Sequence, residues 1–276
     1  MAGSTQPIKK DRILADLIRE RILPDLIEKS GMKSQQDIHA IDELQNYRFE
    51  ESDIIAFSEF LMMNDVASSL KIVESHISHG CSAPILVISL LCDSARYLGD
   101  LWCKDNVSFA EVTIGMAALH QVLRHLDKHL ARELVVSSEE GRSILLTTMP
   151  GDTHIFGISV LESFFRNSGW IVEIEFDVSR SDLINRVSEN LFDIVGFSVA
   201  CSESVDTCKA LAAVVRKYSI NKNIKIMAGG SSFLRNNRLL SAVGIDATAG
   251  GALEALNVAS TLCAPKHLDK LKADNV

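Results

Sequence analysis

The sequence predicts an N-terminal all-α helical bundle followed by an α/β domain built on a five-stranded, doubly wound parallel sheet. Three observations predict this class. Apolar residues in the first half recur at three- and four-residue steps, which is typical of helices. In the second half, short β-branched runs alternate with helical stretches, as in parallel sheets covered on both faces. The 276 residues suffice for one large domain or two ordinary ones, and 47% of them are hydrophobic.

Four or more helices with short links are expected before residue 135, and this pattern favours a bundle. The first contains Pro24, which predicts a kink or a break. A later one begins near Ser108, where SFAE has the spacing of a capping box. The others start at Ser52-Asp53 and at Ser82-Ala83-Pro84. The predicted bounds are 8–29, 52–77, 82–98 and 108–134.

Five short apolar runs in the second half are the predicted strands, and their number and spacing match a flavodoxin-like (Rossmann-like) domain. The expected strands are 143–148, 170–176, 193–200, 224–230 and 245–248. Helices are expected at 155–168, 180–190, 203–218, 234–242 and after the fifth strand. The polar stretch at 135–142 marks the boundary, so the sequence predicts domains of residues 1–138 and 139–276.

Composition excludes several classes of function. The net charge of −8 argues against direct nucleic-acid binding, which needs a concentrated basic face. The longest apolar run, residues 83–92, is about half of a membrane span, and the N-terminus has no apolar signal core. We therefore expect a cytoplasmic protein without a membrane partner. Six scattered cysteines without a C-x-x-C pair suggest neither zinc nor disulfides; most are expected to be buried thiols, with redox sensing as the alternative.

Three loops are expected to meet where the strands end, because ligands of doubly wound sheets bind beyond the carboxyl ends. They are GDTHIFG after the first strand, SVACSES at the end of the third and AGGSSF after the fourth. Asp152 and His154 suit a metal-binding imidazole held by a carboxylate. Glycines here leave room for a bulky ligand or a tight turn. Each signal alone is more often a solvated histidine or a simple turn.

Together, the order Asp152-x-His154-x-x-Gly157, then Ser198, then Gly229-Gly230 closely resembles the cobalamin-binding domain, over about residues 141–262. The resemblance implies that His154 is the lower axial ligand of cobalt. It implies that Asp152 holds the other ring nitrogen and that Ser198 extends this relay. The three glycines, Gly157, Gly229 and Gly230, would admit the nucleotide tail of the cofactor. The bound form would be adenosyl-, methyl- or hydroxocobalamin.

One departure from the family pattern is Ser198-Val199-Ala200, where the family often has Ser-x-Leu. The smaller Ala200 would loosen the slot for the nucleotide tail. It leaves the expected cobalt ligand in place.

The helical half resembles the cap of B12-dependent photoreceptor regulators, in which a tryptophan covers the upper ligand and a Glu-His pair follows. Trp102 and the nearby SFAEVTIG carry this resemblance, and Trp102 is predicted to contact the cofactor. Val112-Thr113 stand where the Glu-His pair would be. Three other histidines on the same helix are candidate substitutes: His120, His125 and His129.

Over its whole length the chain looks most like AerR/PpaA-type regulators of photosynthesis genes. That resemblance implies a cobalamin-binding, light- or redox-responsive transcriptional regulator of the anti-repressor type, without catalysis. Its expected partner is a repressor protein of photosystem genes, and self-association stays open. The alternatives are a corrinoid methyl carrier of a methyltransferase system, a mutase subunit, or a doubly wound domain with a degenerate site.

Overall fold

The computed structural model describes residues 49–134, 141–200, 205–230 and 244–263. The helices predicted at 8–29 and 234–242 and most of the predicted boundary lie outside these ranges. All described residues fall within one contact unit, Arg48–Val276. A division between residues 138 and 139 stays a prediction.

The described N-terminal part is helical. Helix α1 is Glu51–Met62, α2 is Val66–Ser78 and α3 is Ala83–Ile85; a π-helical segment, Leu86–Leu91, then leads into α4, Cys92–Cys103. Helix α5 is Phe109–Glu133. The capping box is confirmed, because the Ser108 hydroxyl accepts from the Glu111 N–H at 3.2 Å while Glu111 Oε2 accepts from the Ser108 N–H at 2.7 Å.

The single helix expected over residues 52–77 is wrong, because the chain breaks between α1 and α2. Asn64 takes a left-handed backbone with φ of 55°, which ends α1. Asp65 then caps α2 by accepting a hydrogen bond from the Ser68 N–H at 3.0 Å. The third predicted helix starts at Ser82 as expected, but it continues beyond Leu98 through the π-helical segment to Cys103.

The second part is a five-stranded parallel sheet, as predicted. Its strands are β1 (Ser143–Thr148), β2 (Ile171–Glu175), β3 (Ile194–Ser198), β4 (Lys225–Gly229) and β5 (Ala247–Ala249). Their order is β2-β1-β3-β4-β5, which is the flavodoxin-like order. The helices between and after them are α6 (Phe156–Asn167), α7 (Arg180–Glu189), α8 (Val205–Tyr218) and α9 (Ala252–Cys263).

Helix α6 joins the two parts because both of its faces are buried. Phe156, Val160 and Phe164 repeat every four residues and pack into the core of the helical bundle. Ile158 and Phe165, on the other side, pack against the sheet. The loop before α6 is therefore positioned by the sheet and by the bundle together.

Candidate functional site

The carboxyl ends of β1 and β3 form the switch point of the sheet, where strand order reverses and ligands of this fold class bind. The parallel register places Thr148 beside Ser198, and Ser198 beside Gly229. The predicted site residues Ser198 and Gly229 are thus neighbours on the same edge as the loop that carries His154.

Backbone and side-chain hydrogen bonds hold the loop after β1 to the sheet. The Thr148 hydroxyl accepts from the Asp177 N–H at 2.8 Å. Asp177 Oδ1 in turn accepts from the Gly151 N–H at 2.7 Å. The Asp152 N–H donates to the Met149 carbonyl at 3.0 Å, and Met149 is fully buried. These bonds fix the point from which the His154 side chain leaves the loop.

Asp152 orients His154, as the sequence predicts for a metal-binding imidazole. Asp152 Oδ1 accepts from the His154 N–H at 2.9 Å and lies 2.7 Å from His154 Nδ1. The aspartate side chain is only 6% exposed, whereas the histidine side chain is 66% exposed. With Nδ1 occupied by the carboxylate, Nε2 is the nitrogen left to bind a metal.

The second carboxylate oxygen of Asp152 is buried and accepts no hydrogen bond from any described residue. An unpartnered buried oxygen of this kind costs free energy and calls for an explanation. The resemblance assigns Ser198 to the same relay, but the structure has no Ser198–Asp152 hydrogen bond. The role of Ser198 stays a prediction. The free oxygen shows that the site has an acceptor to spare for a ligand or its water.

The three predicted glycines differ in what the protein itself requires of them. A Cβ on Gly230 would lie 2.1 Å from the Val199 carbonyl oxygen, and its φ of +123° disfavours any side chain. A Cβ on Gly229 would lie 3.2 Å from the Ala249 oxygen. A Cβ on Gly157, by contrast, would meet no described residue within 4 Å outside its own helix. Packing explains the first two glycines, whereas no described residue beyond its own helix packs against Gly157.

The start of α5 extends past the loop that carries His154. His120 packs edge-on against Phe156 at 5.2 Å, and further along Asn167 Nδ2 donates to Asp127 Oδ1 at 3.4 Å. The residue that comes later in α5 contacts the residue that comes later in α6, so the two helices run roughly parallel. The eleven residues of α5 before His120 span about 16 Å, which carries this end of α5 beyond the ligand edge of the sheet.

Two aromatic side chains mark that projecting end. Trp102 is 47% exposed and Phe109 is 72% exposed, with ring centroids 6.5 Å apart. Trp102 is therefore not a core residue, which was the alternative to a capping role. Phe109 and Thr113 share the helical stripe of His120, within about 20° at 100° per residue. This stripe extends beyond the ligand edge on the side of α5 that faces α6, and its end carries exposed aromatic surface.

The three candidate histidines of α5 separate into two groups. His120 lies on the side of α6, where burial, with a smaller effect of the Arg124 charge, lowers its pKa. His125 and His129 lie about 140° and 180° around the helix from it. Both instead contact Glu74 on α2. They are on the wrong face of α5 to serve as the predicted substitutes, and only His120 remains.

Cys81, Cys92, Cys103 and Cys208 are free thiols. Burial raises the pKa of Cys81 and Cys92 to about 11 and that of Cys208 to about 12. A thiol with a raised pKa carries little reactive thiolate at neutral pH. The prediction of buried thiols is confirmed for Cys208, whereas Cys81, Cys92 and Cys263 are only partly buried and Cys103 is exposed. Cys201 lies outside the described ranges.

Sequence reasoning missed Phe109 and the exposed Ile155, which follows His154 directly. The sequence carried a signal for Phe109. This aromatic residue directly follows the helix cap and lies outside the apolar repeat of α5, so it was not needed for the core. Sequence reasoning also missed Phe156 as the contact between α6 and α5. That contact depends on how two distant helices pack.

The doubly wound fold with a carboxylate-held histidine at its switch point is typical of a class of cofactor-binding domains. Residues 142–257 match the family model described as the B12 binding domain. This part of the chain is therefore similar to B12-binding domains.

Two curated relatives are similar to the chain. A 20.5 kDa protein of Rhodobacter capsulatus, named for the bchF-crtJ intergenic region, is 26% identical over 154 residues. The similarity covers 56% of this chain and 79% of that protein. A corrinoid protein of Desulfitobacterium hafniense is 21% identical over 145 residues, covering 52% of this chain and 67% of that protein.

Among solved structures, the monomethylamine corrinoid protein of Methanosarcina barkeri is similar to this chain with a TM-score of 0.63. It is 17% identical, and the similarity covers 77% of this chain and all of that protein. At this identity the likeness shows a shared fold, including helices beside the sheet.

The chain is a cobalamin-binding protein, as predicted from the sequence. The residues at the ligand edge fit that cofactor in three respects. His154 presents a ring nitrogen that Asp152 does not occupy, no described residue outside its own helix packs against Gly157, and one buried oxygen of Asp152 has no partner among the described residues. Within the described ranges, the helices are all too short or too polar to cross a membrane.

Proposed function

We propose that this protein is a cobalamin-dependent transcriptional regulator of the anti-repressor type that responds to light or redox state and performs no catalysis. The observation that carries the proposal is the exposed Trp102–Phe109 pair at the projecting end of α5. A cover of this kind senses what occupies the upper face of the cofactor.

His154 is the residue proposed to hold cobalt, with Asp152 holding its Nδ1 and orienting its ring. The open surface at Gly157 and the edge at Ser198 and Gly229 would receive the nucleotide tail. When bound, cobalamin supplies a cobalt–carbon bond that light or reduction breaks.

The switch requires that the two states of the upper face differ in how they contact α5. Trp102 and Phe109 would be partly covered in one state and released in the other, which shifts the end of α5. The bundle face then binds a partner with different free energies in the two states, as any population shift demands. The proposed partner is a repressor of photosystem genes. The relationship to the Rhodobacter capsulatus protein is consistent with such a regulator.

A corrinoid methyl carrier is the second candidate, favoured by the corrinoid protein relative and by the similar fold of the monomethylamine corrinoid protein. In that role the upper face must open to two methyltransferases in turn. The protein would then carry a methyl group without being an enzyme by itself.

One experiment separates the two functions. The full chain is loaded in the dark with hydroxo-, methyl- or adenosylcobalamin, and absorption spectra and molar mass are recorded before and after illumination. A light-dependent change in mass or in repressor binding supports the regulator. Light-independent transfer of methyl to a thiol acceptor by a partner methyltransferase, with no light effect on binding, supports the carrier and refutes the regulator.

A further inference from the structure

A second cluster of metal-ligand side chains lies in the helical part, on the opposite face of α5 from His120. His125 and His129 are one turn apart on α5, and Glu74 lies on α2. One ligand atom from each of the three lies within 4.8 Å of the others. We propose that Glu74, His125 and His129 bind a zinc ion that links α2 to α5.

The contacts within the cluster converge on a single carboxylate oxygen. Glu74 Oε1 contacts His125 Nε2 directly and lies 3.4 Å from His129 Nε2. The hydrogen bond from His125 lowers the pKa of Glu74, so this carboxyl is ionised at neutral pH. Two imidazole nitrogens therefore face one anionic oxygen across the gap between two helices.

His129 is the least satisfied member of the cluster. Its side chain is 14% exposed, and its Nε2 is buried without a hydrogen-bond partner among the described residues. The 3.4 Å approach to Glu74 is too poorly aligned to count as a hydrogen bond. A buried polar nitrogen left in this way is costly, and coordination through its lone pair removes the cost.

The donor set suits zinc better than a hard cation. Two histidines and one glutamate, with a water in the fourth position, are an established zinc ligand set. Zinc–nitrogen bonds of about 2.1 Å place tetrahedral donors about 3.4 Å apart. Glu74 and His129 are already at that separation. The direct Glu74–His125 contact would have to open to reach the same separation, and all three ligand atoms already lie within 4.8 Å of one another. Rotation about side-chain single bonds is the adjustment that the site requires.

Two charged side chains, Lys128 and Glu133, lie next to the proposed zinc site. Lys128 Nζ lies 3.6 Å from Glu74 Oε1 and competes with a cation for that oxygen, but its side chain is more than half exposed and can swing away. Glu133, one turn beyond His129, lies close enough to it for an electrostatic interaction. Its carboxylate also accepts from the Ala83 N–H at 2.9 Å, at the start of α3. A carboxylate beside a metal-bound histidine steadies its ring.

The zinc ion would fix the middle of α5. The cluster ties this part of the helix to α2, while the start of α5 extends beyond the ligand edge of the sheet. The start of the helix therefore remains free to shift about this fixed point. The zinc site does not depend on the proposed function, because none of its ligands belongs to the cobalamin edge.

The test is a calorimetric titration of the full chain, free of cobalamin and kept reduced, with zinc chloride. We expect one zinc per chain, and X-ray absorption at the zinc edge should show two imidazoles and light oxygen or nitrogen ligands. The double variant H125A/H129A should bind at least about 100-fold more weakly, since even outer partners of zinc ligands contribute 10- to 100-fold. E74Q, which keeps the shape of the side chain, should bind more weakly than wild type.

Three matched variants control the experiment. H79A removes a histidine at the end of α2 that is outside the cluster, and H154A removes the cobalt ligand; both should bind zinc as wild type does. K128Q removes the competing cation and should bind zinc at least as tightly. Far-UV circular dichroism and hydroxocobalamin binding report whether each cluster variant is folded.

Two results would overturn the site. One is a zinc affinity of the wild-type protein that is no tighter than that of H125A/H129A. If the double variant does not fold, the same comparison is made with E74Q. The other is a zinc edge spectrum with sulfur ligands or with affinity lost in H154A, which places the ion elsewhere.

Discussion

Replacing Asp152 by asparagine tests how the loop prepares His154. Asparagine keeps the shape and one acceptor oxygen, but it removes the negative charge that holds Nδ1 at 2.7 Å. The bond from the His154 backbone N–H at 2.9 Å is made with or without cofactor, so it contributes to the turn and not to affinity. Only the side-chain bond is therefore counted.

The magnitude follows from that single bond. A hydrogen bond to a charged group contributes about 1.5–3 kcal/mol and a neutral one about 0.5–1.5 kcal/mol. The difference of about 1–1.5 kcal/mol corresponds to about tenfold weaker binding of cobalamin. D152A, which removes the acceptor as well, should lose about 100-fold.

The assay is a spectrophotometric titration with hydroxocobalamin in the dark at pH 7. E189Q, the same charge change on an exposed residue at the far end of α7, is the control and should bind as wild type does. Unchanged affinity and an unchanged spectrum in D152N would refute the claim that the carboxylate prepares His154 for the metal.

Three further predictions follow from the structure. W102A/F109A should speed exchange of the upper ligand by about tenfold while the protein stays folded, because neither side chain belongs to the core. An unchanged exchange rate by stopped-flow absorption would exclude the pair as a cover. G230A should lower the free energy of unfolding, measured in urea, by at least about 2 kcal/mol, whereas G157A should fold normally and bind cobalamin poorly. Equal stability and equal cobalamin affinity of the two variants would contradict the different roles given to these glycines. Hydrogen bonds from Ser108 lower the pKa of Glu111, so the stability that Glu111 contributes is present at neutral pH and is lost as the pH falls through this lowered pKa, below 4.5. In thermal melts, E111Q should therefore lose less stability on acidification than wild type does. Identical pH profiles of the melting temperature would contradict this role of Glu111.

Local signals predicted much of the fold. The capping box at Ser108 and the five apolar runs are each contained within a few residues, and the structure has helix and strands there. The break at Asn64-Asp65 was missed because the apolar repeat on either side of it suggests one continuous helix. A left-handed residue and an aspartate cap interrupt it without a glycine or proline as a marker.

Only the part of the candidate site that lies within one loop was predictable from the sequence. Asp152 and His154 are two residues apart, so their hydrogen bond is a local matter. The contact between His120 and Phe156 and the cluster of Glu74 with His125 depend on helices that are far apart in the chain. The H-x-x-x-H spacing on α5 was visible, but the carboxylate that completes it lies 51 residues from His125.

The most direct test of the central claim is the electron paramagnetic resonance spectrum of the protein loaded with cobalamin and reduced to the Co(II) form. With unlabelled protein, a nitrogen below cobalt gives a triplet splitting whether it comes from the cofactor's own base or from a histidine. With ¹⁵N-histidine protein, we predict a doublet, which is lost in His154→Ala. A triplet that persists after labelling would show that His154 is not the cobalt ligand.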